Sequence, residues 1–381
     1  MTMAENEKTA PTVPTAIGTE QPSQIDCTNS ITENSEDCNT ESYSYRDFLR
    51  KMTDPYYIHV LSLSELYDTV YESKPPIIDG LLYPGVYLFV GAPKVGKSFL
   101  MAQLAYHVST GTELWGYPVN KGEVLYLALE DDYARLQRRL YRMFGSDKND
   151  NLMFATKVDS INGLLEQQLN TFHQEHPNLR LIIIDTLQKI REATPDYSYG
   201  NDYQVMSKLK EFADCHGICL LLVHHTRKQK SDDNFESISG TNGLFGGADG
   251  AFILYKDKRT SNTATLEISG RDQQEQKLIL AKNPDTLYWE LQSKETELWK
   301  EPPDPFLEAI SKFVTADSPD WAGTATELLE KTDADIPVNS ITKRLNINAS
   351  RLLNEHSIVY RSSRTHDGRR IELHYVPRDS S

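Results

Sequence analysis

Cysteine is scarce in this chain, with four residues among 381, and Cys27, Cys38, Cys215 and Cys219 include no CxxC pair and no histidines at zinc-ligand spacing beside them. That argues against a zinc module or a disulfide framework, and reduced thiols suit a cytoplasmic protein. Cys215 and Cys219 flank the run DCHGICLLL, where a cysteine serves as a small apolar residue entering a core strand. Basic residues are also in deficit: 40 Lys and Arg stand against 55 Asp and Glu, a net charge of −15. An acidic total argues against a chain coated in nucleic acid, although a local basic patch fits inside it. Apolar runs long enough to span a membrane are missing, and MTMAENEKTAPTVPTAIGTE lacks the charged start and apolar h-region of a signal peptide. The expectation is a soluble, cytoplasmic chain with no membrane partner.

What is present is unevenly distributed. Residues 1–42 are rich in Thr, Ser, Asn, Glu and Pro and carry eight acidic residues against one basic, a net of −7. Such a segment buries too little apolar surface to offset its chain entropy, so residues 1–55 are expected to form a disordered acidic tail. A short helix is expected at Ser64 to Glu72. From residue 85 the pattern alternates between apolar strands and amphipathic helices. GVYLFV, EVLYLAL, LRLIIID and ICLLLVHH read as strands, separated by the helices KSFLMAQLAYHVSTG, DYARLQRRLYRMFG and DYQVMSKLKEFADCHG. Continuous apolar strands alternating with helices predict an α/β fold with a parallel sheet covered on both faces. After Gly247, GAFILYK, TATLEIS, KLILAK and TLYWELQ predict four short strands in an antiparallel extension.

The expected domains are therefore an α/β domain at 56–293, a proline-containing linker at 294–305 (KETELWKEPPDP), and a small module at 306–381. In that module helices are expected at Phe306 to Val314, near Ala322 to Lys331 and near Asn339 to Leu345. A further helix and two strands joined at Asp367-Gly368 then give the outline of a winged helix. Residues 341–375 hold seven Lys or Arg and three acids, net +4, so the basic surface lies at this end.

The chemistry starts at GAPKVGKS, which satisfies G-x-x-x-x-G-K-[ST] directly after one strand and directly before one helix. The run Gly91, Ala92, Pro93, Lys94, Val95, Gly96, Lys97, Ser98 and Phe99 is the candidate nucleotide-binding segment. Gly91 and Gly96 let backbone N–H groups face phosphate oxygens at the positive end of a helix. Lys97 is placed to bridge the β and γ phosphates of ATP, and the Ser98 hydroxyl to ligate Mg²⁺. Lys94 falls on the outer turn of the loop.

Asp185 ends the strand LIIID, where an acid can hold a magnesium-bound water. Glu130 follows the strand EVLYLAL on the same expected carboxyl edge, where a carboxylate can accept a proton from attacking water. A helix-start role is the plainer alternative for Glu130, and it is the preferred one for Asp131 and Asp132. His224 and His225 close LLLVHH and point to opposite faces, so one of them, with a slight preference for His224, can touch the γ phosphate. The loop after them carries Arg227, Lys228 and Lys230, placed either for nucleic-acid contact or for solvent. Arg271, beside Gly270, either reaches a γ phosphate on a neighbouring subunit or pairs with Asp272. Arg135, Arg138, Arg139 and Arg142 form a helical stripe that reads as a solvated face.

In order and spacing, GAPKVGKS, VLYLALEDD, LIIIDT, LLVHHTRK and ISGRD resemble the P-loop ATPases of the RecA-like class, and within them the RepA-type plasmid and mobile-element replicative helicases, often labelled AAA-family ATPases. The Walker motifs are generic to the superfamily; the ALED and VHHTRK elements narrow the likeness. The resemblance implies a homo-oligomer, as a hexameric ring, that binds ATP and Mg²⁺ at subunit interfaces and moves along single-stranded or forked DNA, with a replication initiator or primase as a further partner. It places Lys97 and Ser98 among the nucleotide-binding residues, Glu130 as catalytic glutamate, Asp185 as the Walker B acid, His224 or His225 as sensor, and Arg271 as arginine finger. The acidic tail and carboxyl-terminal module depart from the compact plasmid helicases. A recombinase- or loader-type ATPase, and a DNA-binding regulator whose oligomeric state is set by ATP, are the alternatives. The two lysines of the loop are separable by substitution: Lys97→Ala is expected to abolish nucleotide binding and Lys94→Ala to preserve it, as read by fluorescent-nucleotide titration.

Overall fold

The computed structural model describes residues 55, 56, 58, 60–71, 74–191, 199–225, 242–271, 273–295, 302–365 and 368–377. The expectations for the acidic tail, for the loop carrying Arg227, Lys228 and Lys230, for linker residues 296–301 and for Asp367 lie outside these residues. The chain divides into two compact units, Met1–Ile58 and His59–Ser381, and the elements below belong to the second.

Helix α1 (Leu63–Asp68) starts at a capping box, in which Ser62 and Glu65 satisfy each other's backbone N–H groups; it ends four residues earlier than expected. Strand β1 (Gly85–Gly91) is wholly buried and leads into α2 (Lys97–Thr110), which Gly111 ends at φ 76°. There follow β2 (Glu123–Ala128), α3 (Tyr133–Phe144), β3 (Leu152–Ala155), α4 (Leu165–Glu175), β4 (Leu179–Asp185), α5 (Leu187–Ile190), α6 (Tyr199–His216) and β5 (Cys219–His225). Next come α7 (Asn242–Gly247), β6 (Gly250–Tyr255), β7 (Thr263–Gly270), β8 (Gln276–Lys282) and β9 (Trp289–Lys294). Among the described residues these strands form one nine-stranded sheet in the order β3-β2-β4-β5-β1-β6-β7-β8-β9.

The sheet is parallel from β3 to β6. GAFILYK, expected to begin the antiparallel part, pairs parallel with β1, and only β7, β8 and β9 run as a meander. Alternate side chains of each central strand enter different cores. On β1, Tyr87 and Phe89 join Leu100, Met101 and Leu104 of α2, while Val86, Leu88 and Val90 join Met206 and Leu209 of α6. This two-sided burial is why the strands read as unbroken apolar runs. β3 and α4 were not expected. The first is four half-buried residues, and the second holds only Leu165 and Leu169 fully inside.

Cys219 is free and buried in β5, as a small apolar residue entering a core strand would be. No helix among the described residues is long and apolar enough to cross a membrane.

The carboxyl-terminal part has its own core and consists of α8 (Pro305–Ser311), β10 (Asp320–Thr324), α9 (Ala325–Thr332), α10 (Val338–His356), β11 (Ile358–Thr365) and β12 (Gly368–Tyr375). Its strands pair in the order β10-β12-β11. Where two helices were expected after residue 338 there is one of 19 residues, and residues 320–324 are a strand, with Thr324 then capping α9. Asn346 of α10 is 2% exposed; it accepts the Tyr360 hydroxyl at 2.8 Å and donates to the Tyr67 carbonyl at 3.0 Å, tying α1 to α10. Tyr360→Phe removes one of those partners and is expected to lower stability by about 1 kcal/mol, measured as a shift in the denaturant midpoint.

Candidate nucleotide site

The loop after β1 turns by means of two left-handed residues, Lys94 at φ 66° and Gly96 at φ 114°. Neither motif glycine admits a side chain. A Cβ on Gly91 would stand 2.5 Å from the Leu254 carbonyl oxygen, and one on Gly96 would stand 2.7 Å from Cζ2 of Trp289. The backbone can therefore fold close to neighbouring strands, which leaves the N–H groups at the start of α2 aimed outward. Ala92, Pro93 and Lys94 are exposed, Val95 is buried, and Ser98 and Phe99 are half-buried.

Lys97 turns inward and is 6% exposed. Its ammonium donates to the carbonyls of Gly91 at 2.7 Å and Ala92 at 3.1 Å, and lies 3.2 Å from Nδ1 of His225. Burial pushes its pKa down to about 8, against the pull of Asp185 and Glu130. The registry of β1 with β5 explains the histidine, because Gly91 pairs with His225 and Val90 with His224. Adjacent strand residues face opposite ways, so His225 meets Lys97 while His224, 6% exposed, points to the other face. Burial, then the Lys97 charge, lowers the His225 pKa, which favours the neutral ring that can accept from Lys97.

Asp185 ends β4 one strand beyond β5 and is 7% exposed. Its carboxylate accepts the Tyr126 hydroxyl at 2.9 Å and the Ser98 hydroxyl. Burial raises its pKa, with the two hydroxyl bonds opposing. The peptide between Asp185 and Thr186 is cis. Ser98 and Asp185 together supply adjacent hard oxygen donors of the kind Mg²⁺ takes while keeping most of its waters, so the pair fits that ion. Among the described residues no group of three acidic, His or Cys side chains is placed to hold a metal alone.

Glu130 stands two residues past the end of β2, exposed in the turn, and accepts the Thr186 hydroxyl at 3.2 Å. Asp132 caps α3 by accepting from the Arg135 N–H at 2.8 Å. Asp131 is held by Arg139 at 2.6 Å and Arg135 at 3.2 Å, so part of the arginine stripe is engaged rather than solvated. Lys97, Ser98, Asp185, Glu130 and His225 are thus brought to one edge.

Arg271 is not. β7 is antiparallel to β6, and Gly270 pairs with Gly250 at the start of β6, which puts Arg271 at the amino edge of the parallel strands. There it is exposed and donates to the Gly246 carbonyl at 2.8 Å. Asp272, its alternative partner, lies outside the described residues.

Three contributors escaped sequence reading. Tyr126 showed only as the one hydroxyl in the apolar run VLYLAL, Thr186 only as the residue after the Walker acid, and Trp289 gave no signal at all, being some 190 residues from the loop it touches.

A P-loop between β1 and α2, with Asp185 and Glu130 beside it at the carboxyl edge of a parallel sheet ordered β3-β2-β4-β5-β1, is a nucleotide-binding arrangement of the P-loop class. The profile of the AAA domain family matches residues 58–231. DNA repair protein RadA of Aquifex aeolicus (strain VF5) is 28% identical over 167 residues, covering 43% of this chain and 33% of its own length. The chain thus spans about a third of the curated relative it matches. Among solved structures, a chain described as an ATPase domain has a TM-score of 0.47 at 16% identity, covering 55% of this chain and 85% of that one. A DnaB-like replicative helicase, solved for its interactions with primase, has a TM-score of 0.47 at 15% identity, covering 64% and 69%.

Tyr126→Phe removes a hydrogen bond to Asp185 without touching the loop. Measured ATP turnover is expected to fall about tenfold, with ADP affinity unchanged within about twofold.

Proposed function

We propose that this chain is an ATP-driven DNA helicase, or helicase-like ATPase, acting as a ring-forming homo-oligomer in replication of a plasmid, phage or mobile element. The observation that carries the reading is the split of the candidate machinery between two edges. Arg271 is exposed on the edge opposite its own P-loop, so it can complete only the site of a neighbouring copy. Head-to-tail repetition of that contact makes a closed ring or a filament. A hexamer is the proposed closure.

In this scheme ATP lies on the loop with its γ phosphate toward Asp185, and Lys97 exchanges the Gly91 and Ala92 carbonyls for phosphate oxygens. Mg²⁺ held by Ser98 and Asp185 supplies charge neutralisation for the β and γ oxygens when bound. Glu130 accepts the proton of the attacking water, and Thr186 orients it through the 3.2 Å bond. His225 loses its lysine partner when Lys97 moves, and it is the last residue before 226–241, the segment carrying Arg227, Lys228 and Lys230 that is proposed to contact DNA. The carboxyl-terminal part, read as a winged-helix-like module with +4 net charge over 341–375, is a second nucleic-acid surface. Residues 56–293 would then be the motor and 294–305 the linker.

Similarity to a DNA repair protein favours a second reading, a loader- or recombinase-type ATPase that assembles on DNA without unwinding it. Forked-duplex unwinding with ATP separates the two: strand release supports the helicase, while DNA-stimulated turnover without release supports the loader. The trans role of Arg271 has its own test. Arg271→Ala and Lys97→Ala are each expected to cut turnover at least about a hundredfold, and an equal mixture to recover part of it, because intact sites re-form at mixed interfaces. Full activity of Arg271→Ala alone contradicts the assignment.

A further inference from the structure

The acids and His225 all come from strands on one side of β1, namely β5, β4 and β2. The hydrolysed end of a bound nucleotide therefore points to that side. The other end must leave across the start of α2 toward β6, β8 and β9. Between the start of α2, that end of the sheet and α3, which follows β2, stands a cluster of cations around an aromatic ring. The Lys282 ammonium lies 3.5 Å from the centre of the Phe99 ring, and the Arg139 guanidinium carbon lies 5.1 Å from it. Lys256 lies 5.5 Å from the Trp289 ring. Arg142 closes the group by donating to the carbonyls of Pro284 and Asp285 in the β8–β9 turn.

Among the described residues the one carboxylate paired with any of these four is Asp131, which Arg139 shares with Arg135. Arg139, Lys256 and Lys282 are half-buried and Arg142 is exposed; Lys256 also donates to the Ser261 carbonyl at 2.7 Å. Half-buried cations with one carboxylate among them favour the arrival of an anion. Burial, then Lys256, Arg139 and Arg142, pushes the Lys282 pKa down to about 8.

The cluster is fixed to the loop. Trp289 is fully buried; its indole N–H donates to the Gly96 carbonyl at 3.3 Å, and its ring fills the space a Gly96 side chain would need. Its backbone makes a two-way bond with the Gln103 amide of α2, and its carbonyl also takes the Trp115 indole N–H at 2.7 Å. The meander is thereby locked to the P-loop helix, seven residues downstream of Lys282.

We propose that Phe99, Arg139, Lys256 and Lys282 form the subsite for the α-phosphate and ribose end of the nucleotide, with Trp289 as the positioning residue that sets it against the P-loop. This rests on the nucleotide-site reading of Lys97. The cations take the α-phosphate oxygens and ribose hydroxyls, and the nucleoside passes over Phe99.

The test is lysine protection on the unmodified protein. The full chain is acetylated with an N-hydroxysuccinimide ester at pH 8, with no ligand, with Mg-ADP, or with inorganic phosphate, and labelling is read by peptide mass spectrometry. ADP is expected to slow labelling of both Lys97 and Lys282, and inorganic phosphate, too short to reach from the P-loop to the cluster, that of Lys97 alone. Protection of Lys97 but not Lys282 by ADP overturns the subsite and leaves the P-loop reading intact. Equal protection of Lys282 by inorganic phosphate also overturns it, since the cluster then binds a lone anion independently of the nucleotide. Protection of neither lysine by ADP overturns both readings. Lys282→Met is expected to weaken ADP binding about tenfold and to leave inorganic phosphate binding within about twofold; an unchanged ADP affinity in this variant contradicts the proposal.

Discussion

The site depends on where one ammonium is held. Lys97 is drawn into the protein by two backbone carbonyls and a neutral imidazole, none of which carries a full negative charge. Burial disfavours its charged form and also disfavours the ionised form of Asp185 at the end of β4. The chain by itself thus keeps two desolvated groups whose natural complement is a magnesium phosphate. In the proposed function nucleotide would relieve both at once, which would give binding a reason to move Lys97 and, with it, the partner of His225.

Strand registry gives that local exchange a route to the rest of the chain. β5 sits between the P-loop strand and the Walker acid strand, so its last residue is level with Gly91. A slip of one residue would put His224 against the lysine and turn His225 away. The same sheet spreads the remaining parts outward: Glu130 on the β2 side, the cationic cluster on the β8 side, and Arg271 at the far edge. Arg271 lies at the amino edge, away from the P-loop of its own chain, and the proposed function uses it across a contact between copies.

Much of this was legible in the sequence because local chemistry dictated it. GAPKVGKS could be placed as the turn between a strand and a helix, which β1 and α2 provide, and LIIID by its apolar run and final acid. The choice between His224 and His225 was not legible, since alternation says that the two differ but not which faces β1; the pairing of Gly91 with His225 decides it for the lysine contact. GAFILYK reads the same in a parallel or an antiparallel partner, and only the sheet shows it parallel to β1. α4 hid behind its polar residues, and the continuous α10 was divided after Leu345; the next residue, Asn346, is a buried side chain bonded to Tyr360 and Tyr67. Trp289 depends on contact across the fold, which no local pattern records.

The coupling claim is tested most directly by ATP turnover of the wild type and of His225→Ala, each with and without single-stranded DNA. The account predicts that DNA stimulates the wild type severalfold and leaves the variant at its DNA-free rate, with ADP affinity retained. Equal stimulation of both proteins, or none in the wild type, contradicts it.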